Sequence, residues 1–231
     1  MTTNQLTTEQ IQIEQASFIS KVYGWMSGAL IVTGLVAAWT ASSESLITII
    51  FGNSLIFYGL LIAEILCVAY LVSAVKKISS HTATLIFMGY AALNGLTLAA
   101  VFIIFTSESI ATTFFITAGT FGIMSFYGYY TKKDLTTIGN LAFMGLIGLI
   151  IASVVNIFFH NEIVYWITTY AGILIFVALI AYDTQKIKKM NVIGNEGSEE
   201  DKKEAIIGAL ILYLDFINLF LYLLRLFGRR K

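Results

Sequence analysis

An all-α membrane protein, a bundle of seven transmembrane helices, is the fold class that three observations predict. Of the 231 residues, 58% are hydrophobic and only 12% are charged, a composition foreign to soluble domains of this length. Seven apolar runs can be drawn between the charged residues, each near the ~20 residues that cross a bilayer at about 1.5 Å per residue. These runs are continuously apolar instead of alternating, which excludes the other spanning structure, a β-barrel. With no proline in the chain, helix irregularity would have to arise at the 18 glycines or at buried polar groups.

The chain begins with a polar segment, Met1 to Ser20, rich in Thr, Gln and Glu. It has neither a basic start nor a small-residue cleavage site ahead of the first apolar run, so it reads as a cytoplasmic tail, helical near Ile11 to Phe18, and not as a signal peptide. Residues 21–231 form one transmembrane domain. Its spans run over Val22 to Ala41, Leu55 to Val75, Ala83 to Phe105, Ile110 to Tyr130, Gly139 to Phe159, Ile163 to Tyr182 and Ala205 to Phe227. In the first, Gly24 and Gly28 make a small-xxx-small pair, which admits a close neighbour and also occurs in ordinary glycine-tolerant membrane helices. The long inner loop, 184–204, is basic first (Lys186 to Lys189) and acidic later (Glu196, Glu199, Glu200, Asp201), as expected of a solvated segment lying near anionic lipid.

Orientation follows from the basic residues. Lys21, Lys76, Lys77, Lys132, Lys133, Lys186, Lys188, Lys189, Lys202 and Lys203 fall on one side, whereas the loops Ser42 to Ser54, Thr106 to Ser109 and His160 to Glu162 contain no Lys or Arg. The rule that cytoplasmic loops carry the cations puts the N-terminus inside. Seven crossings then put Arg225, Arg229, Arg230 and Lys231 outside, against that rule. Either the upstream loops dominate or the last segment turns back; its length favours a full crossing.

Few polar residues interrupt the spans. Asn94, Asn156 and Asn218 are expected to act as hydrogen-bonding glue between helices. The acids carry more information, because a carboxylate at a helix centre in the membrane costs about 2.5 to 3.5 kcal/mol on insertion scales, and so marks a functional site by default. Glu64 lies mid-span in the second helix, as a protonated packing residue or as part of a proton or cation path. Asp215 has ten uncharged residues before it and nine after it, from Ala205 to Leu224. Asp183 sits at the inner end of the preceding span and, taken alone, would be a helix-end residue. Asp215 lies roughly 15 Å along a helix entered from the same side. If the two approach, they share a proton and make a pH-responsive gate or cation site.

Two stretches, Tyr182-Asp183-Thr184-Gln185-Lys186-Ile187 and Leu212-Tyr213-Leu214-Asp215-Phe216-Ile217-Asn218-Leu219-Phe220, resemble the Bax inhibitor-1 family of transmembrane proteins in its bacterial members. The resemblance covers Lys21 to Phe227. It implies a bundle with the last helix central and a pH-sensitive calcium leak channel of the bacterial inner membrane, with Asp183 and Asp215 as sensor and gate and as a transient Ca²⁺ site. Glu64 and Asn218 are candidates for the ion path. Some members latch the first aspartate with an arginine from the second span; here that span has none, and Lys76 and Lys77 are its nearest cations. A lysine supplies a point charge without the bidentate fork of arginine.

The expected partners are lipid, Ca²⁺ and protons, with no cofactor and no enzymatic activity. The alternatives are a regulatory membrane protein that binds a membrane protease through the tail and inner loop, and a proton-coupled Ca²⁺ exchanger. An intramembrane aspartyl protease also needs two acids sharing a proton, but its Gly-x-Gly-Asp motif is replaced by Leu212-Tyr213-Leu214-Asp215. A retinal protein would need a lysine between Ala205 and Leu224. His81, His160 and Cys67 are too scattered for a zinc site. Zero formal net charge gives no support to nucleic-acid binding.

Overall fold

The computed structural model describes residues 7–231, so the first six residues of the expected tail lie outside the described residues. Among the described residues eight helices follow one another: α1 (Thr8–Ala41), α2 (Glu44–Phe51), α3 (Ser54–Ala74), α4 (Ser80–Ile104), α5 (Ser107–Tyr130), α6 (Thr136–Phe159), α7 (Glu162–Met190) and α8 (Glu199–Phe227). Seven of them, all except α2, are long and apolar enough to cross a membrane. The protein is an all-α membrane bundle. The spans differ in burial: 67% of the most apolar window of α8 is buried, against 6% in α3 and 11% in α6, so α8 is the most buried span and α3 the most exposed.

Three boundaries depart from expectation. The first helix starts well before Val22, at Thr8, where Thr7 and Gln10 form a capping box: the Thr7 hydroxyl accepts from the Gln10 N–H and the Gln10 side chain accepts from the Thr7 N–H. The segment Ser42 to Ser54, expected as a loop, contains the short helix α2, capped by the Ser43 hydroxyl. The sixth span does not stop at Tyr182. It continues as helix to Met190, which shortens the inner loop to residues 191–198 and leaves Asp183 two turns inside the helix.

The described residues form two compact units, 7–104 with Ile187–Tyr213, and Phe105–Lys186 with Leu214–Lys231. In the first, Gly95 of α4 faces the Thr33 carbonyl and Val36 of α1 so closely that a methyl group there would collide. The Thr33 hydroxyl meets the Ala91 carbonyl at 2.8 Å and the Tyr213 hydroxyl at 2.7 Å. Gly208 of α8 lies against Ile187 and Val22. The close approach therefore occurs at Gly95 and Gly208; nothing stands within 4 Å of a methyl placed at Gly24 or Gly28.

The lysine-rich end of this unit is tied by ionic contacts. Lys21 pairs with the buried Asp201 at 2.9 Å and with Glu196 at 3.6 Å. The Gly194 N–H donates to both oxygens of Glu14, at 2.8 and 3.1 Å, and Glu199 accepts from the Ser80 N–H and hydroxyl. The start of α1, which the sequence marks only as a tail with helical tendency, is thereby fastened to the inner loop.

The second unit is built on the C-terminal half of α8. Phe216 packs its ring against Phe114 and Phe121, with centroids 5.5 and 5.6 Å away. Beyond Phe227 the chain turns so that Thr106 donates its N–H to the Arg229 carbonyl at 2.9 Å, and Phe105 pairs with Arg230. α8 is unbroken, and the residues that follow it join the Phe105–Thr106 turn, which carries no lysine.

Candidate functional site

Asp183 is delivered by a segment of α7 that neighbouring elements grip from two sides. On α5, Gly128 lies under the Ala181 carbonyl, and any side chain there would overlap it. On α6, Gly139 abuts the Tyr182 ring, again without room for a Cβ. Hydrogen bonds complete the grip: the Thr184 hydroxyl donates to Ser125 at 3.3 Å, and Gln185 accepts from the Leu135 N–H at 3.0 Å while donating to the Lys133 carbonyl at 2.8 Å. Buried polar groups are paired in folded proteins, and here Thr184 and Gln185 find their partners on α5 and on the α5–α6 connection.

Asp215 follows Tyr213 and Leu214 on α8 and precedes the packed Phe216. Both acids are nearly inaccessible, with 8% of Asp183 and 5% of Asp215 exposed. Their carboxyl groups meet in a side-chain hydrogen bond. Ionised carboxylates only accept, so such a bond requires one proton on the pair. The Asp215 Oδ2 is buried and has no hydrogen-bond partner among the described residues, which leaves an acceptor available to a proton or a cation. Lys186, one turn after Asp183 on α7, acts electrostatically on Asp183; the sequence reading counted it only as a charge of the inner loop.

The remaining candidates have other surroundings. Glu64 of α3 is half-buried and accepts from the Thr97 hydroxyl at 2.8 Å. Within the same unit it acts electrostatically on the Tyr90 and Tyr213 phenols. Asn218 donates to the Leu214 carbonyl at 2.8 Å, inside its own helix. Asn94 likewise bonds Tyr90, one turn earlier on α4, and Asn156 closes the end of α6 by accepting from the Asn161 N–H. The three asparagines therefore bond within their own helices or caps, not as interhelical glue, because a free carbonyl or phenol lies one turn away. Lys76 and Lys77 follow the end of α3 with exposed side chains, and Lys76 lines a cavity of about 450 Å³ with Glu200, Lys203 and Glu204.

Among the described residues, no group of three or more His, Cys, Asp and Glu side chains could hold a metal ion. Two carboxyls provide at most four oxygens, whereas Ca²⁺ takes six to eight ligands.

The family model described as "Inhibitor of apoptosis-promoting Bax1" matches residues 15–231. The chain belongs to the Bax inhibitor-1 family. The inner membrane protein YbhL of Escherichia coli is 47% identical over 216 residues, covering 93% of this chain and 92% of the relative. An uncharacterised protein of Borreliella burgdorferi is 44% identical, with 98% of each chain covered. A third relative, from Rickettsia prowazekii, is 44% identical over 93% of this chain and 90% of its own length. Membership spans all seven long helices and both aspartates.

Proposed function

We propose that this Bax inhibitor-1 family protein is a passive cation pathway of a bacterial inner membrane, with Ca²⁺ as the conducted ion and the Asp183–Asp215 pair as its pH-responsive element. The reading rests on one observation above all, the hydrogen-bonded contact of two buried carboxyls in the second unit. One proton holds that contact together. Its loss leaves two like charges adjacent in a low-dielectric interior, where they repel, so the contact opens on deprotonation. Lys186 then competes for the freed Asp183 carboxylate, and a hard cation meets two anionic oxygen donors. A protonation-driven shift between two arrangements is the ordinary logic of a pH switch. The inner membrane is carried over from the name of the relative YbhL, and the cytoplasmic N-terminus from the lysine asymmetry of the loops. No catalysed reaction and no cofactor are assigned.

The decisive measurement is Ca²⁺ flux into proteoliposomes between pH 5.5 and 8 for the wild type, Asp183→Asn and Asp215→Asn. Either variant keeps the size of the side chain while removing its titration, and the expected outcome is a flattened pH profile. An unchanged profile in both overturns the proposal, and uphill transport driven by a proton gradient would favour an exchanger. The regulatory reading, binding to a membrane protease, draws on the fastening of α1 to the inner loop through Lys21, Ser17 and Glu14, which gives that end a defined shape. It predicts tail-dependent capture of the protease with no flux.

A further inference from the structure

Arg225, the basic residue in the last turn of α8, is one of the four cations that the loop-charge rule leaves unexplained. Its guanidinium carbon lies 4.9 Å from the centre of the Tyr165 ring and 5.1 Å from that of Tyr222. Aromatic faces attract a cation through their quadrupole, so the two rings hold the group in place while leaving its N–H edges uncommitted. Among the described residues Arg225 forms no hydrogen bond and no salt bridge. A half-buried guanidinium with five donors and no acceptor is an incomplete arrangement.

Beside it lies a cavity of about 550 Å³, lined by Arg225, Tyr165, the imidazole of His160, the carboxylate of Glu162 and several neutral polar groups. Asn156 and Asn161 face it with their donors spared: the Oδ1 of Asn156 accepts from the Asn161 N–H at 2.8 Å, and the Oδ1 of Asn161 accepts from the Val164 N–H at 3.1 Å. Since a backbone N–H can meet only the oxygen end of each amide, both Nδ2 groups remain as donors. Ser153 bonds the Tyr222 phenol, which keeps that ring against Arg225. One carboxylate, Glu162, lies at the exposed edge. The cavity also sits where a bilayer surface would fall. It joins the end of α6 to the start of α7, and its surroundings include the exposed Ile157, Phe158, Phe159 and Trp166, of which Trp is typical of the membrane–water interface.

We propose that this cavity binds the phosphodiester headgroup of a bilayer lipid, with Arg225 as the anchor of the anion and the Asn156 and Asn161 amides as flanking donors. The charge inventory selects the ligand. The lining holds one guanidinium, Arg225, one exposed carboxylate, Glu162, and one imidazole, His160, so a singly charged phosphodiester meets less repulsion there than a dianionic phosphate monoester. Guanidinium suits phosphate oxygens through two parallel N–H bonds, and the exposed apolar residues around the mouth give acyl chains a surface to follow.

The test uses the full chain purified in detergent, with phosphatidylglycerol added and retained lipid counted by native mass spectrometry. Arg225→Gln should lower retention about tenfold, as expected for a charge-assisted contact. Arg225→Lys, which keeps the charge and loses the fork, should fall nearly as far. Asn161→Asp preserves the oxygen that caps Val164 and replaces a donor by an anion, so it should lower retention without changing thermal unfolding. Arg230→Gln, an exposed cation at the same end of the chain, should have no effect. Wild-type retention in Arg225→Gln or Asn161→Asp overturns the proposal, as does an equal loss in Arg230→Gln. Displacement of the lipid by an equal concentration of glycerol phosphate would overturn its assignment to the bilayer.

Discussion

Two intramembrane acidic centres, one in each unit, solve the same electrostatic problem differently. Glu64 belongs to α3, the least buried span, keeps part of its surface exposed and takes a hydroxyl from Thr97. Asp183 and Asp215 belong to the two helices that the second unit grips most closely, and each finds as its partner another acid. A hydroxyl stabilises a carboxyl in either protonation state. A second carboxyl does so only while a proton is shared. The difference shows why burial of an acid is by itself a weak functional signal: the chemistry of the partner decides whether titration changes structure.

The comparison can be broken or sharpened by substitution. The largest effect is expected from Gly139→Ala, because a Cβ there enters the Tyr182 ring beside Asp183. Overpacking of this kind costs about 1–3 kcal/mol, and the value should lie at the upper end because ring and helix backbone are both confined. Thermal unfolding in detergent should register it, and the pH profile of flux should shift with it; wild-type behaviour in both would mean that the grip on α7 is not what holds the pair.

A smaller effect concerns the pair itself. A double-mutant cycle with Asp183→Asn and Asp215→Asn, read by unfolding near neutral pH, should give a coupling of about 1–2 kcal/mol, within the range for residues in direct contact. The coupling should decline as pH rises, since losing the shared proton removes the hydrogen bond and adds repulsion. Additivity at every pH would reduce the two aspartates to unrelated acids. The smallest effect is expected from Glu64→Gln, which retains an oxygen for the Thr97 hydroxyl. Its cost should stay below about 1 kcal/mol, with the flux profile unaltered. A pH response lost as completely in Glu64→Gln as in Asp215→Asn would erase the distinction between the two centres.

Much of this was legible in the chain. The seven spans follow from apolar length, because a bilayer leaves no other way to satisfy twenty consecutive backbone groups. The two aspartates stand out for the same reason, since charges are rare at that depth. What stayed hidden is instructive. The extension of α7 from Tyr182 to Met190 passes through Lys186, Lys188 and Lys189, which a hydropathy reading counts as loop, although lysine is a good helix former. Hydropathy reports where a helix leaves the membrane and not where it ends. That gap placed Asp183 at a helix terminus and concealed the role of Lys186 as its charged neighbour.

Glycine spacing misled in a related way. The Gly24–Gly28 pair has the expected pattern and no close neighbour, while Gly128 and Gly139, two and three residues from the ends of α5 and α6, sit against α7. Spacing along one helix says that a close approach is permitted; which helix takes the opportunity depends on the packing of three elements together. Arg225 is the clearest case. In the sequence it is one of four cations offending a topology rule, and only the rings of Tyr165 and Tyr222, 60 and three residues away in the chain, reveal that it is held in a site.

By itself, then, the sequence determined the class of solvent, the seven long apolar helices, the family and the presence of two aspartates within or beside apolar spans, because each of these depends on local composition or on short contiguous motifs. Tertiary structure alone decided the contact of those acids, the glycines that permit it, the hydroxyl that occupies Glu64 and the aromatic clamp on Arg225. Each of the latter brings together side chains from different helices, and the free energy of a proton, a cation or an anion at such a place is set by distances of a few ångströms that no single stretch of chain encodes.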